Sequence, residues 1–168
     1  MGIALLKGWI AKGIAPVFVV EPRPSPELRK LAKKKDVTLL AGIAQAPRRK
    51  FRACVVALKP QILKSEAPVL RFIAENGATM ISIAAGTSIG SLRKAWGPKA
   101  HIVRAMPNTP GAIGRGITGL YAAKTATARD RTRARLLLSA LGETLWVNRE
   151  SGIDAVTALS GSGPAYIF

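Results

Sequence analysis

The sequence predicts an α/β fold built on a doubly wound, mainly parallel sheet, and three observations predict it. Short apolar runs bounded by Gly and Pro alternate along the chain with stretches of helical periodicity. One of those runs, RACVVAL, hardly alternates apolar with polar, which is the mark of a strand covered on both faces. With 168 residues, 48% of them hydrophobic, the chain can bury a proper core and is not a disordered segment.

Taken in order, Ile3, Leu5, Leu6, Trp9 and Ile10 recur at helical spacing until Gly13 supplies a stop. Residues 17–20 (VFVV) form a strand, ended by Pro22, Pro24 and Pro26. Ser25 and Pro26 are an N-cap and first helical residue for a basic helix over 27–35. Strands follow at 37–40 and 52–58, and Lys59-Pro60 opens a helical stretch to Asn76 that Pro68 divides. A strand at 79–85, a helix at 88–96 and a strand at 101–106 continue the alternation. Beyond them come a strand at 117–123, a helix at 127–141 with Ala134, Leu137, Leu138 and Leu141 inward, a strand at 144–147 and a short helix at 152–159.

A doubly wound fold normally begins with a strand whose turn carries G-x-G-x-x-G into the first helix. Here the helix comes first, so the expected sheet lacks its opening strand, and that strand's neighbours lack a pairing partner. Gly2 stands where the end of such a fingerprint would stand. Glu21 follows it by the interval typical of a ribose-contacting acid. A single glycine is not a fingerprint, and taken alone Gly2 reads as the residue after an initiator methionine.

Charge and cysteine usage exclude several classes. Lys and Arg number 26 against 9 acids, a formal +17, but they are split evenly between the first 60 residues and the rest. The arginines at 129, 131, 133 and 135 fall on two helix faces, and only three Trp, two Tyr and four Phe are present for base stacking. Nucleic acid is therefore expected to bind only non-specifically. The single Cys54 sits in an apolar run, as a small buried thiol does. No run reaches the roughly 18 apolar residues of a membrane span, and no metal site is expected, so the reading is cytoplasmic and away from membranes. His101, opening a strand, reads as structural.

Candidate binding residues lie where strands end. Lys59-Pro60, after Ala57-Leu58, occupies a place where ligands sit in open α/β sheets, and equally suits a strand stop followed by a helix start. Met106-Pro107-Asn108-Thr109-Pro110 makes a rigid turn, and Gly111, Gly114 and Gly116 are expected to let the chain pass a bound ligand without collision. The segment Ser160-Gly161-Ser162-Gly163-Pro164 suits a helix amino end that receives an anion, or a plain N-cap between helices. Glu21 favours a free ribose hydroxyl and NADH, whereas Arg23 and Ser25 favour a 2′-phosphate. The local positive charge tilts the choice to NADPH, with NADH as the alternative.

Two strings, RAMPNTPGAIGRGITGLYA and AVTALSGSGPAYIF, resemble pyrroline-5-carboxylate reductase, the last enzyme of proline biosynthesis, with support from ALLKGW, VALKPQ and SIAAG. The resemblance spans residues 1–168. It implies a Rossmann-like dinucleotide-binding domain over 1–150, without its first strand, and the start of an all-helical substrate and dimerisation domain over 151–168. It also implies hydride transfer from NAD(P)H to the imine carbon of 1-pyrroline-5-carboxylate, giving L-proline, and a homodimer or larger ring. The cofactor performs that chemistry, so no catalytic side chain is singled out. By the same resemblance Ala57, Leu58, Lys59 and Pro60 pack along the cofactor and Ala85-Gly86 faces the nicotinamide. Pro107, Asn108 and Thr109 face its amide, and Ser160 to Pro164 seat the substrate carboxylate. A chain truncated at both ends is expected to be weakly stable and nearly inactive. The rival reading is a non-catalytic basic module that binds nucleotides or polyanions. A β-hydroxyacid-type dehydrogenase is disfavoured, for want of a lysine placed as a catalytic acid.

Overall fold

The structure, a computed structural model, describes residues 1–156. Its elements are α1 (Gly2–Ala11), β1 (Val17–Val20), α2 (Pro26–Leu31), β2 (Val37–Leu40), β3 (Ala53–Val56), α3 (Pro60–Glu66), α4 (Arg71–Glu75), β4 (Thr79–Ser82), α5 (Ile89–Trp96), β5 (His101–Met106), β6 (Gly116–Ala122), α6 (Ala128–Leu138), β7 (Gly142–Trp146) and α7 (Ser151–Val156). Short 3-10 turns at Ile43–Gln45, Ala67–Leu70, Thr109–Ile113 and Ser139–Leu141 complete the chain.

The strands fall into two sheets. β1 and β2 pair in parallel, while β3-β4-β5-β6-β7 form a five-stranded sheet in that order. β3, β4 and β5 run parallel, β6 is antiparallel to β5, and β7 is parallel to β6. The reversal at β6 follows from its connection: the few residues from Pro107 to Arg115 suffice for an antiparallel return, whereas a parallel one needs a crossover of about a dozen residues or more. Among the described residues β1 pairs with β2 alone and β3 with β4 alone, so each keeps one unpaired edge.

α1 joins the two pieces because its apolar residues cover two faces. Ile3, Leu6 and Ile10 pack with Leu28, Val37, Val17 and Val19 over the small sheet. Leu5, Ala4 and Trp9 pack with Val55, Ile81 and Val103 over the large one. The Trp9 indole N–H donates to the Leu137 carbonyl at 2.8 Å. The Phe18 ring meets the Phe51 ring edge-on at 5.7 Å, with the Arg49 guanidinium over Phe18.

Alternation along β4 and β5 divides the main core. Met80 and Ile102 face Leu63, Ile73, Leu92 and Trp96 of α3, α4 and α5. Ile81, Val103 and Ala105 face Ala134 and Leu138 of α6, together with Leu5 and Leu141.

Several expectations are revised. β3 is shorter than 52–58, and Ala53, Cys54 and Val55 are only half-buried, because nothing pairs along one of its edges. Desolvation nevertheless pushes the Cys54 thiol up to about 12, which leaves it inert. The basic helix stops at Leu31, so Lys33, Lys34 and Lys35 lie in an exposed turn. Pro68 does divide the 59–76 stretch, into α3, a 3-10 turn and α4. Among the described residues no helix is long and apolar enough to cross a membrane.

Candidate functional site at the carboxyl rim

The register brings Val56, Ser82 and Arg104 into line across β3, β4 and β5, so the segments that follow them emerge from one edge of the sheet. Ala57, Leu58, Lys59 and Pro60 leave β3 there. Ala85 and Gly86 follow β4, tied back by the Ile83 N–H donating to the Val56 carbonyl. Pro107, Asn108 and Thr109 follow β5. Ala57, Lys59, Pro60, Ala85, Gly86 and Thr109 are exposed, Leu58 and Asn108 half-buried, and Pro107 buried.

Gly2, the first residue of α1, lies against this edge: a Cβ there would stand 3.4 Å from that of Ala57, an ordinary contact. Gly86 has φ +66°, which suits glycine, and no atom lies within 4 Å of where its Cβ would be. The rim is thus lined with small side chains and open backbone, which lets a flat ligand approach closely.

Helix starts differ in how they are satisfied. Ser25 caps α2, Ser88 caps α5, and Thr127 with Asp130 forms a capping box on α6. Met1 and Lys59, which precede α1 and α3, make no side-chain cap. The uncapped start of the ten-residue α1 therefore leaves its first-turn N–H groups available beside Ala57.

Glu21, Arg23 and Ser25 follow β1 on the other sheet. The Glu21 carboxylate accepts from the Arg23 backbone N–H at 3.0 Å, and the Arg23 side chain is exposed with no hydrogen bond or ion pair among the described residues. Ser25 Oγ, exposed, accepts from the Leu28 N–H. This rim is tied to the main one through α1, where Lys7 pairs with Glu27 of α2.

The glycine-rich turn after β5 needs a different explanation from the one its sequence suggests. A Cβ on Gly116 would lie 2.6 Å from the Gly111 Cα and 2.7 Å from Asn108 Oδ1, and one on Gly111 would lie 3.2 Å from the Leu141 Cβ. Gly114 has φ +74°, and a Cβ on Gly142 would meet the Gly116 carbonyl. Gly111, Gly116 and Gly142 are required by the chain's own close packing, and Gly114 by its positive φ. Asn108 Oδ1 accepts from the Ile117 N–H at 3.0 Å and so helps hold the turn together.

Two constellations escaped the sequence reading. At the carboxyl side, the Arg104 guanidinium, 5% exposed, donates to Glu150 Oε1 at 2.7 Å and pairs with Asp154 at 3.5 Å, while Glu150 Oε1 also accepts from the Ile89 N–H. An arginine inside the run HIVRAM is the signal that could have found it, since a charge in an apolar strand must be paired. At the amino ends of β4 and β5, Asp130 is buried and accepts from Thr79 Oγ1, the Thr127 N–H and the Thr127 hydroxyl, with His101 Nδ1 at 2.9 Å. Burial pushes its carboxyl up, but the bonds from Thr127 and Thr79 and the charge of His101 outweigh this and hold it below the usual aspartate range. His101 is thus structural, at the rim opposite the candidate site. Ser160, Gly161, Ser162, Gly163 and Pro164 lie outside the described residues.

The parallel strands, flanking helices and open carboxyl rim define a Rossmann-like domain. No protein-family model matches the chain. It is 37% identical to the pyrroline-5-carboxylate reductase of Haemophilus influenzae across its whole length, covering 62% of that protein. Among solved structures, a pyrroline-5-carboxylate reductase from Coxiella burnetii matches 99% of the chain and 62% of its own, with TM-score 0.87 and 34% identity. The Plasmodium falciparum pyrroline carboxylate reductase, solved with NADP bound, matches with TM-score 0.79 and 28% identity, over 99% of this chain and 61% of its own. This chain belongs to the pyrroline-5-carboxylate reductase family, and it spans about 62% of the length of the relatives it matches.

Proposed function

We propose that this chain provides the dinucleotide-binding part of an NAD(P)H-dependent reductase that converts 1-pyrroline-5-carboxylate to L-proline. The observation that carries the reading is the rim where Gly2 of α1 lies against Ala57, beside Ala85-Gly86 and Pro107: backbone and small side chains with an uncapped helix start. Those features fit a dinucleotide, whose pyrophosphate favours unpaired helix N–H groups and whose flat ring favours low side chains. Arg23 and Ser25 would hold a 2′-phosphate. The Glu21 carboxylate already accepts from a backbone N–H, and the exposed guanidinium of Arg23 makes NADPH the preferred cofactor over NADH.

When bound, the reduced nicotinamide supplies a hydride to C5 of the imine, whose nitrogen carries its proton already. The chain's residues bind, orient and exclude water. Residues 151–168 are assigned to the start of a helical domain through which subunits pair, with Ser160 to Pro164 seating the substrate carboxylate, and the location is cytoplasmic.

The test is titration of the purified chain with NADPH, followed by fluorescence quenching, and then addition of 1-pyrroline-5-carboxylate. Saturable NADPH binding with little turnover is expected, because the chain spans only part of the length of its relatives. Full turnover by a mass-verified 168-residue chain would remove the claim of weak activity, and absence of NADPH binding would remove the reading itself. The net charge of +17 favours a second reading, a polyanion-binding module, which predicts steeply salt-dependent RNA binding and no response to dinucleotide.

A further inference from the structure

Arg104 occupies an unusual place. It is a guanidinium 5% exposed, on the face of β5 that carries Ile102, and its partners come from elements far apart in sequence. Glu150 immediately precedes α7 and receives both Arg104 Nη1 and the N–H of Ile89, the first residue of α5. Asp154, one turn into α7, receives the second guanidinium nitrogen. One buried charge therefore ties together β5, the start of α5 and α7. Ser88 already caps α5, so the Glu150 carboxylate is a second acceptor at that helix start.

The position matters because of what adjoins it. The loop 84–88 runs directly into α5, and Ala85-Gly86 lies in it. β5 continues within two residues into Met106-Pro107. Packing supports α7 as well, since a Cβ on Gly119 of β6 would stand 3.1 Å from the Val156 side chain, so the helix lies flat on the sheet.

We propose that Arg104 is a positioning residue: through Glu150 and Asp154 it fixes α7 and the start of α5 against the carboxyl rim, and so sets the nicotinamide-side loop that runs into α5. This rests on the reading of the rim as a dinucleotide site. Arg104 touches neither cofactor nor substrate in this role. Its planar fork reaches both carboxylates at once, which a lysine cannot reproduce.

The test compares the unaltered chain with Glu150→Gln, Arg104→Lys and Arg104→Met by amide hydrogen exchange, and by titration with NADPH and with adenosine 2′,5′-bisphosphate, which carries only the adenosine end. In Glu150→Gln the amides of 151–156 and of Ile89 are expected to exchange at least about tenfold faster while those of 128–138 keep their protection. NADPH binding weakens severalfold and bisphosphate binding does not change. Arg104→Lys retains more protection in α7 than Arg104→Met. Unchanged exchange in α7, or equal acceleration in α6 and α7, would overturn the proposal, the latter showing a merely global loss of stability. If the unaltered chain binds no NADPH, the dinucleotide reading fails by itself, and the exchange pattern still decides whether Arg104 holds α7.

Discussion

The five-stranded sheet and the two-stranded sheet are built from the same kind of parallel βα units, yet they are anchored very differently. The larger is covered on both faces, with Met80, Ile81, Ile102, Val103 and Leu120 fully buried. The smaller has a core of only Leu6, Leu28 and Val37, and Val20 at the end of β1 is 40% exposed. β1 and β3 are not paired, and what joins the two sheets is the ten-residue α1 together with the Phe18–Phe51 contact. A sheet is cooperative because each strand's backbone bonds position the next. Where that ladder is broken, side-chain packing, chiefly through α1, must carry the coupling.

Five changes break or sharpen this contrast, from the largest effect to the smallest. Leu5→Ala opens a cavity where α1 meets the large sheet and is expected to cost about 3 kcal/mol in urea unfolding, with Leu28→Ala in the small cluster costing less. A loss at Leu28 equal to that at Leu5 would show the two sheets equally anchored.

Asp130→Asn strikes only the large sheet, removing a buried acceptor of several bonds, and about 2 kcal/mol is expected. Its pH dependence has a definite sign. The folded carboxyl lies below its unfolded range, so its contribution is complete above about pH 4 and is lost as pH falls through the lower folded value. Thermal melts of the Asn variant should show a shallower decline on acidification than the unaltered chain.

Gly8→Ala probes the bridge itself. A Cβ there would stand 2.6 Å from the Ala140 Cβ and 2.9 Å from its carbonyl oxygen, so α1 must lift from the 139–141 turn, at about 1–2 kcal/mol. Hydrogen exchange in β1 and β2 should accelerate more than in β4 and β5. Arg23→Ala belongs to the small sheet's rim and should leave stability unchanged. It is expected to weaken NADPH binding about tenfold with no effect on NADH, read by parallel titrations.

Much of the architecture was legible in the residues. Proline placement marked the start of α2, the end of β1 and the division at Pro68, because a ring that fixes φ and lacks an N–H leaves few alternatives. Ser25 marked the start of α2 for the same local reason. The candidate rim was legible as strand ends followed by small residues. The packing role of the glycines at 111 and 116 was not legible, since it lies against Leu141 and against the turn's own backbone folded back on itself, and a single sequence does not show which segments touch.

What the sequence by itself determined is local: strands and helices in alternation, the caps and breaks between them, and the family to which the chain belongs. Tertiary structure alone decided which charges meet. Arg104 with Glu150, and Asp130 with Thr79 and His101, are pairs 46, 51 and 29 residues apart. Backbone preferences act over a few neighbouring residues, whereas a buried charge takes its partner from whatever the sheet order brings within reach.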